Sequence, residues 1–228
     1  MPAIRTARDR ARAELTKEIK DEARRQLAEV GPHGLSLRAV ARELGMVSSA
    51  LYRYFPSRDQ LLTALIIDSY NALGEAVDAA DPGETDEPRS RWLKIWHATR
   101  DWAREHPHEY SLIYGSPIPG YNAPEDTVAS GARVAAALLR VVEVAPLRPL
   151  DPGPPLSAKL AKQARTIIEF FDTKLSEADT VRLLIAWTQL FGALSFELFG
   201  QYNNSVDPAD AFFDHLATQM ADFVGLGS

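Results

Sequence analysis

The 228-residue chain has no cysteine. That excludes a disulfide framework, a cysteine-ligated zinc site and a thiol nucleophile, and it fits a reducing compartment. Long apolar runs are also missing. The greasiest stretch, residues 181–199, is interrupted by Arg182, Thr188, Gln189 and Glu197, whereas a spanning helix needs ~20 mostly apolar residues. Charges follow Met1-Pro2-Ala3-Ile4-Arg5 in place of an apolar signal segment, so no secretory leader is expected. The sequon Asn203-Asn204-Ser205 then reads as a polar helix-end turn, and the expected location is cytoplasmic, with no membrane partner. Enzyme signatures are absent as well: no G-x-S-x-G, no P-loop, no G-x-G-x-x-G before a helix, no H-E-x-x-H. Asp101, Glu105 and His97 lack placed partners, and Pro107 between His106 and His108 spoils helical ligand spacing. Neither catalytic residues, nor a cofactor, nor a metal is expected.

An overall excess of basic charge is lacking too. The chain carries 25 Lys+Arg against 31 Asp+Glu, a net charge of -6, which taken whole argues against nucleic acid. The charge is unevenly spread. Residues 1–60 hold 12 basic and 8 acidic side chains, and residues 61–228 hold 13 and 23. The pattern is a head of +4 on a body of -10, an asymmetry that points to a basic binding head.

What is present everywhere is the helical period. Ile19, Ala23, Leu27 and Val30 fall on one stripe and predict a helix over residues 10–30, stopped by Gly31-Pro32-His33-Gly34. Ser36 is a good N-cap for a second helix over residues 37–44, and Gly45 supplies a turn. Ser48 reads as the cap of a short third helix over residues 49–55, ended by Pro56. Ser57 and Gln60 form a capping-box pattern opening a long fourth helix to about residue 79. After a breaker-rich connector, Asp81 to Pro88, helices are expected at about 89–105, 108–114, 125–144, 157–172, 177–200 and 208–224, the last started by Asp207-Pro208 as a cap followed by proline. Loops fall at 115–124 and 145–155, the second with five prolines (Pro146, Pro149, Pro152, Pro154, Pro155). No strand alternation persists, so the fold class is all-α.

Two short helices across a glycine-containing turn, braced by a helix before them, describe a helix-turn-helix. The third helix presents Ser48, Ser49, Tyr52 and Arg53 outward, with Ala50, Leu51 and Phe55 inward. Hydroxyls and arginine bond base edges or phosphates, and a tyrosine hydroxyl reaches a phosphate. Helix N-termini at Ser36 and Ser48 suit phosphate oxygens. Arg5, Arg8, Arg10 and Arg12 form a basic arm ahead of the first helix, placed to follow the backbone or enter the minor groove. Tyr54 is as readily a packing residue, and Arg42 and Arg53 as readily solvated.

The run from Leu35 to Leu62, LSLRAVARELGMVSSALYRYFPSRDQLL, resembles the DNA-binding signature of TetR/AcrR-type regulators, with its LYxYF segment followed by a capped helix. The match covers about residues 12–65. The resemblance implies DNA contacts from Ser36, Arg38, Ser48, Ser49, Tyr52, Arg53, Tyr54 and Arg58, with Tyr52 on phosphate and Arg38, Ser49 and Arg53 on bases or backbone.

In the body, residues 181–199 are apolar almost all round, and Phe212, Phe213, Leu216, Met220, Phe223 and Val224 form a stripe on the last helix. These two helices read either as a monomer core or as one half of a four-helix dimer interface. The resemblance tips the balance to a homodimer through about 177–200 and 208–224. Trp187-Thr188-Gln189-Leu190-Phe191-Gly192 resembles the WHG-type C-terminal domain of some of these regulators, with Phe191 where histidine is expected. His106-Pro107-His108-Glu109-Tyr110 and the segment from Tyr114 to Tyr121 resemble it as well. A sensor pocket needs an apolar lining with few polar groups. Its candidates are Trp92, Trp96, Arg100, Tyr110, Tyr114, Trp187 and Phe191, with His97 as a polar contact; Trp92 and Trp96, on one face, also read as core packing.

The expectation is therefore a helix-turn-helix domain over residues 1–65, joined by a long helix to a ligand-sensing and dimerisation domain over residues 66–228. Such a protein would repress from a palindromic operator on double-stranded DNA as a homodimer and be released by a small-molecule effector. The alternatives are a sequence-blind architectural DNA-binding protein, which would want a more basic body, and, more remotely, an enzyme.

Overall fold

The computed structural model describes residues 6–81, 83–148 and 153–227, and among these every regular element is helical. Arg5 of the expected basic arm and Pro82, Pro149 and Pro152 of the loops lie outside the described residues. Eleven α-helices follow in order: α1 (Ala7–Gly34), α2 (Leu37–Glu43), α3 (Ser48–Leu51), α4 (Arg58–Ala80), α5 (Pro88–Glu105), α6 (Pro107–Tyr114), α7 (Val128–Gly131), α8 (Arg133–Val144), α9 (Ala158–Phe171), α10 (Glu177–Leu198) and α11 (Asp210–Phe223). The chain divides into two compact units. One runs to Tyr70 and takes in His108–Val128, and the other comprises Asn71–Pro107 and the chain from Ala129 onward. Helix α4 contributes to both.

In the first unit, α1 begins earlier than the stripe alone predicts. The Thr6 hydroxyl accepts from the Asp9 amide at 3.2 Å while Asp9 reaches back to the Thr6 amide at 3.1 Å, a capping box that nucleates the helix at Ala7. The Thr6 hydroxyl also donates to the Asp9 carboxylate at 2.7 Å, and this bond, followed by the one from the Thr6 amide, holds the Asp9 carboxyl below its ordinary range. The expected arm is corrected accordingly: Arg8, Arg10 and Arg12 stand exposed on the opening turns of α1. Gly31, at φ 68°, breaks the helical path just before Pro32. The core is built from Ile19, Leu27, Val40, Leu51, Leu61 and Leu65 with their neighbours. Each fully buried leucine contributes about 1.5–3 kcal/mol. Ile118 joins this core from the segment after α6. There the Tyr121 and Thr63 hydroxyls meet at 2.9 Å.

In the second unit, Trp92, Ile95, Trp96, Thr99 and Ala103 form the buried face of α5, which packs on α8, α10 and α11. The helical stretch expected over 125–144 is interrupted. A 3-10 turn over Glu125–Thr127 precedes α7, and Ala132 separates α7 from α8. The expected Asp207-Pro208 cap is also corrected. Helix α11 starts at Asp210 with Ala209 as its N-cap, because the Ala209 carbonyl is the first to accept, from the Phe213 amide at 2.9 Å. Helix α10 is long and apolar enough, by length and composition, to cross a membrane. One of its faces is buried through Leu183, Ala186, Leu190 and Leu194.

Arginine pairs tie this unit together over long sequence distances. Arg91 forms two bonds to the Asp81 carboxylate, at 2.7 and 2.9 Å, with both side chains buried. Arg100 forms two to Glu197, at 2.9 and 2.8 Å, and lies over the Phe213 ring. Arg133 reaches the Asn71 carbonyl and Asp78. It crosses α4 at Gly74, where a Cβ would collide with its guanidinium.

Candidate nucleic-acid interface

Local sequence chemistry builds the interface from α2, α3 and the turn between them. The Ser36 hydroxyl accepts from the Ala39 amide at 3.4 Å, capping α2 as expected. Gly45 takes φ 64°, a conformation glycine adopts without steric cost, and the turn closes through the Met46 amide on the Ala41 carbonyl at 2.8 Å. The third helix differs from expectation at both ends. Val47 occupies the N-cap with extended backbone and no side-chain cap, and its carbonyl accepts from Ala50, so Ser48 is the first helical residue instead of the cap. Helical bonding then tightens after Leu51: the Arg53 amide bonds to Ala50 and the Tyr54 amide to Leu51. Pro56 disfavours continued α geometry at Phe55, so this turn-like bonding goes no further.

Leu51 and Phe55 are buried and anchor this element to the core, which turns the intervening side chains outward. Arg38, Ser49, Tyr52 and Arg53 are exposed, and Ser36, Ser48 and Tyr54 are half-buried. Tyr54 packs against the core while its ring carries the Arg12 guanidinium at 5.4 Å, so α1 and the third helix share one surface there. Arg42 lies beside Glu43 at 3.5 Å.

Arg58 is turned inward. Its guanidinium donates to the Pro32 carbonyl at 2.6 Å and the Leu35 carbonyl at 3.2 Å, holding the turn between α1 and α2. Arg58→Met is expected to destabilise the first unit by about 1–3 kcal/mol, the usual worth of hydrogen bonds from a charged donor. Denaturant unfolding followed by circular dichroism measures it, and an unchanged midpoint would remove this role.

The sensor candidates fall in both units. Tyr110 and Tyr114 belong to the first unit, where Tyr114 stacks with Tyr110 at 5.2 Å and meets Tyr70 edge-on at 5.9 Å. Burial pushes the Tyr114 phenol well above its ordinary range, so it stays protonated. The others stand in the second unit. Trp92 and Trp96 are fully buried. Trp92 donates to the Ala217 carbonyl at 3.2 Å, and Trp96 packs on Phe213. Arg100 is held by Glu197, and His97 faces Asp214 at 3.5 Å. Trp187 and Phe191 meet edge-on at 5.3 Å.

Of these eight, Trp187 lines a cavity of about 210 Å³ between α8, α9 and α10. The rest of that lining carries no distinctive residue pattern in the sequence. Its only signal there is the apolar face of α8 and α9, which marks burial without marking a void.

A second surface feature is a line of exposed apolar side chains. Ile185, Phe196 and Phe199 lie along α10 with Gly192, and Phe212 and Phe223 lie along α11.

Residues 19–65 match the family described as bacterial regulatory proteins, tetR family, and residues 92–220 match the one described as tetracyclin repressor-like, C-terminal domain. Over 210 residues the chain is 38% identical to the HTH-type transcriptional regulator Rv1816 of Mycobacterium tuberculosis, with 89% of each chain covered. The HTH-type transcriptional regulator Mb1846 of Mycobacterium bovis matches to the same extent. The crystal structure of the candidate regulatory protein SCO4313 is 31% identical and superimposes with a TM-score of 0.80, covering 95% of this chain and 100% of that one.

Proposed function

The chain belongs to the tetR family of bacterial regulatory proteins, DNA-binding transcriptional regulators and not enzymes, and from that premise we propose that it is a homodimeric repressor, released from its operator by a small molecule. The observation that carries the DNA reading is the exposed set Arg38, Ser49, Tyr52 and Arg53, held on an element that Leu51 and Phe55 anchor in the core. In this reading α3 enters the major groove. Ser49 and Arg53 meet base edges, while Arg38, Tyr52 and the hydroxyls of Ser36 and Ser48 meet phosphate and sugar. Tyr54 and Arg12 flank the contact, and Arg58 holds the turn that positions it. The head's charge of +4 supports the docking, and the acidic remainder of the chain discourages docking elsewhere.

The exposed line on α10 and α11 supports dimerisation, because monomers rarely leave such a contiguous apolar surface in water. Gly192, with open space where a Cβ would sit, allows two copies of α10 to approach closely. A two-fold dimer would set its two α3 elements into successive major grooves, ~34–36 Å apart, on a near-palindromic site. The effector then acts by binding the conformer whose heads are wrongly spaced. Moving a 1:99 balance to 99:1 takes about 5.5 kcal/mol of differential affinity. Such a protein works in the cytoplasm, beside the DNA it controls.

The test is a gel shift on DNA flanking the protein's own gene, competed at fixed salt with specific or random duplex. Specific competitor is expected to win by orders of magnitude, and equal competition would favour the architectural reading. Arg38→Ala is expected to weaken binding and to reduce the slope of log K against log salt by about 0.9 for each phosphate the protein no longer neutralises. A full salt titration reads it, and an unaltered slope would take Arg38 off the backbone.

A further inference from the structure

We propose that Val47 is a specificity-determining residue, whose side chain packs on the C5-methyl group of a thymine in each half of the operator and selects thymine there. This rests on the operator-binding reading above and adds to it one position of the reading surface and the base that position demands.

The turn and the start of α3 sort their side chains by burial. Met46 packs against the core of the first unit, and Leu51 is buried in it. Ser48 and Ala50 are half-buried. Val47 and Ser49 are exposed, as are Tyr52 and Arg53 further along. At 70% exposure, Val47 is the most exposed large hydrophobic side chain among the described residues. In a helix-turn-helix the N-terminal residues of the second helix meet the base edges, so the groove receives Val47 together with Ser49.

Nothing in the fold asks for valine at this place. Its side chain contributes little to the core, and it makes no cap for the helix that follows, although its backbone is extended as an N-cap requires. Thr6, Ser36, Ser157 and Ser176, ahead of α1, α2, α9 and α10, each accept a backbone amide through the side chain. Such residues rank well above valine at an N-cap.

The chemistry of the side chain then limits what it recognises. Valine neither donates nor accepts a hydrogen bond, so it gains nothing from a phosphate. Against the polar edge of guanine, adenine or cytosine it displaces water without replacing it. The thymine methyl is the apolar group that a base presents in the major groove. Ser49 and Arg53 carry the polar part of the reading, and Val47 adds a methyl that hydrogen bonds do not register. In a two-fold dimer each half-site meets one Val47, so the thymines fall at a symmetric pair of positions.

The experiment takes the full chain and an operator selected from random duplex DNA. Each symmetric pair of thymines is replaced in turn by deoxyuridine, which pairs as thymine does and lacks only the methyl. At the pair that Val47 reads, wild-type affinity is expected to fall about fourfold per methyl lost, and about fifteenfold for the pair, the worth of burying one such group in each half. Val47→Ser should bind the two duplexes equally at that pair, while Val47→Ile keeps an apolar tip and should keep the preference for thymine. Val47→Ser also supplies the missing cap, so its melting temperature is expected to rise by about 2–4 °C. A fall would assign the valine to the fold and overturn the proposal. So would a methyl effect that survives Val47→Ser at every pair. Failure to select any operator overturns the DNA reading and this assignment with it. A selected operator in which residue 47 couples to no thymine overturns the assignment alone.

Discussion

Replacing both Phe196 and Phe212 with glutamate is expected to make the protein a monomer and to weaken operator binding at least 100-fold. The two rings are 53% and 39% exposed in the single chain, so two carboxylates there stay hydrated and the protomer keeps its fold. Each ring touches Tyr202 edge-on, at 5.7 and 5.6 Å, and removing those ring pairs costs the protomer a modest amount, about 0.5–1.5 kcal/mol each. In a dimer built on this face the same carboxylates would be dehydrated against apolar side chains, and in an isologous interface each change is felt twice. The drop in DNA affinity follows from geometry. A dimer that has engaged one half-site presents its second head at high effective concentration, a gain of ~10²–10⁴ that a monomer forfeits. Light scattering after gel filtration, paired with gel shifts, reads both effects. A variant that stays dimeric and binds DNA normally would move the interface off α10 and α11.

Asp81→Ala is expected to lower the melting temperature by about 6–20 °C. Asp81 and Arg91 are 6% and 5% exposed and share two hydrogen bonds, and Asp81 also accepts from the Gly83 amide at 3.1 Å. Deleting the carboxylate takes a buried counter-charge and two hydrogen bonds from the guanidinium, and breaking a buried pair in this way costs about 3–5 kcal/mol. For a domain of this size each kcal/mol is worth about 2–4 °C. The effect is pH-dependent, and its sign is fixed. The Arg91 hydrogen bonds, followed by the Gly83 amide, hold the Asp81 carboxyl below its ordinary range against the opposing effect of burial. A carboxyl with a depressed folded pKa stabilises fully above its unfolded value of about 3.9. That stability is lost as pH falls through the depressed folded value. The gap between wild type and Asp81→Ala should therefore be widest near neutrality and shrink below about pH 4. A gap that is constant with pH would mean the ion pair is not the source of the loss.

The helix-turn-helix was legible because its determinants are local. Gly31-Pro32, the Ser36 cap, Gly45 and the Leu51 and Phe55 anchors act within one or two turns of themselves, and the structure uses them, although α1 kinks at Gly31 and runs on to Gly34 and α3 ends at Leu51, ahead of Pro56. The starts of α1 and α3 differ from expectation where one local signal competes with another. The Thr6–Asp9 capping box outranked the stripe that begins later, and the Val47 carbonyl outranked the Ser48 hydroxyl.

What the sequence hid depends on partners far away in it. Arg58 finds carbonyls more than 20 residues earlier, and Arg100 finds Glu197 nearly a hundred residues later. No periodicity records either. The aromatic candidates for a pocket have surroundings that their chemistry does not record: Tyr110 and Tyr114 pack in the first unit, and Trp92 and Trp96 are closed in the core of the second. The α8–α9–α10 slot is a void, and a void is set by how three helices fail to fill the space between them. A sequence spells out only the walls.

The dimeric, sequence-reading regulator is tested most directly by selecting the full chain's preferred sites from a pool of random duplex DNA. An inverted repeat is expected, its half-sites centred 10–10.5 base pairs or a multiple of that apart. Mutating Ser49 or Arg53 should relax preference at particular positions within each half. Recovery of no enriched sequence, or of a single half-site with no symmetric mate, would contradict it.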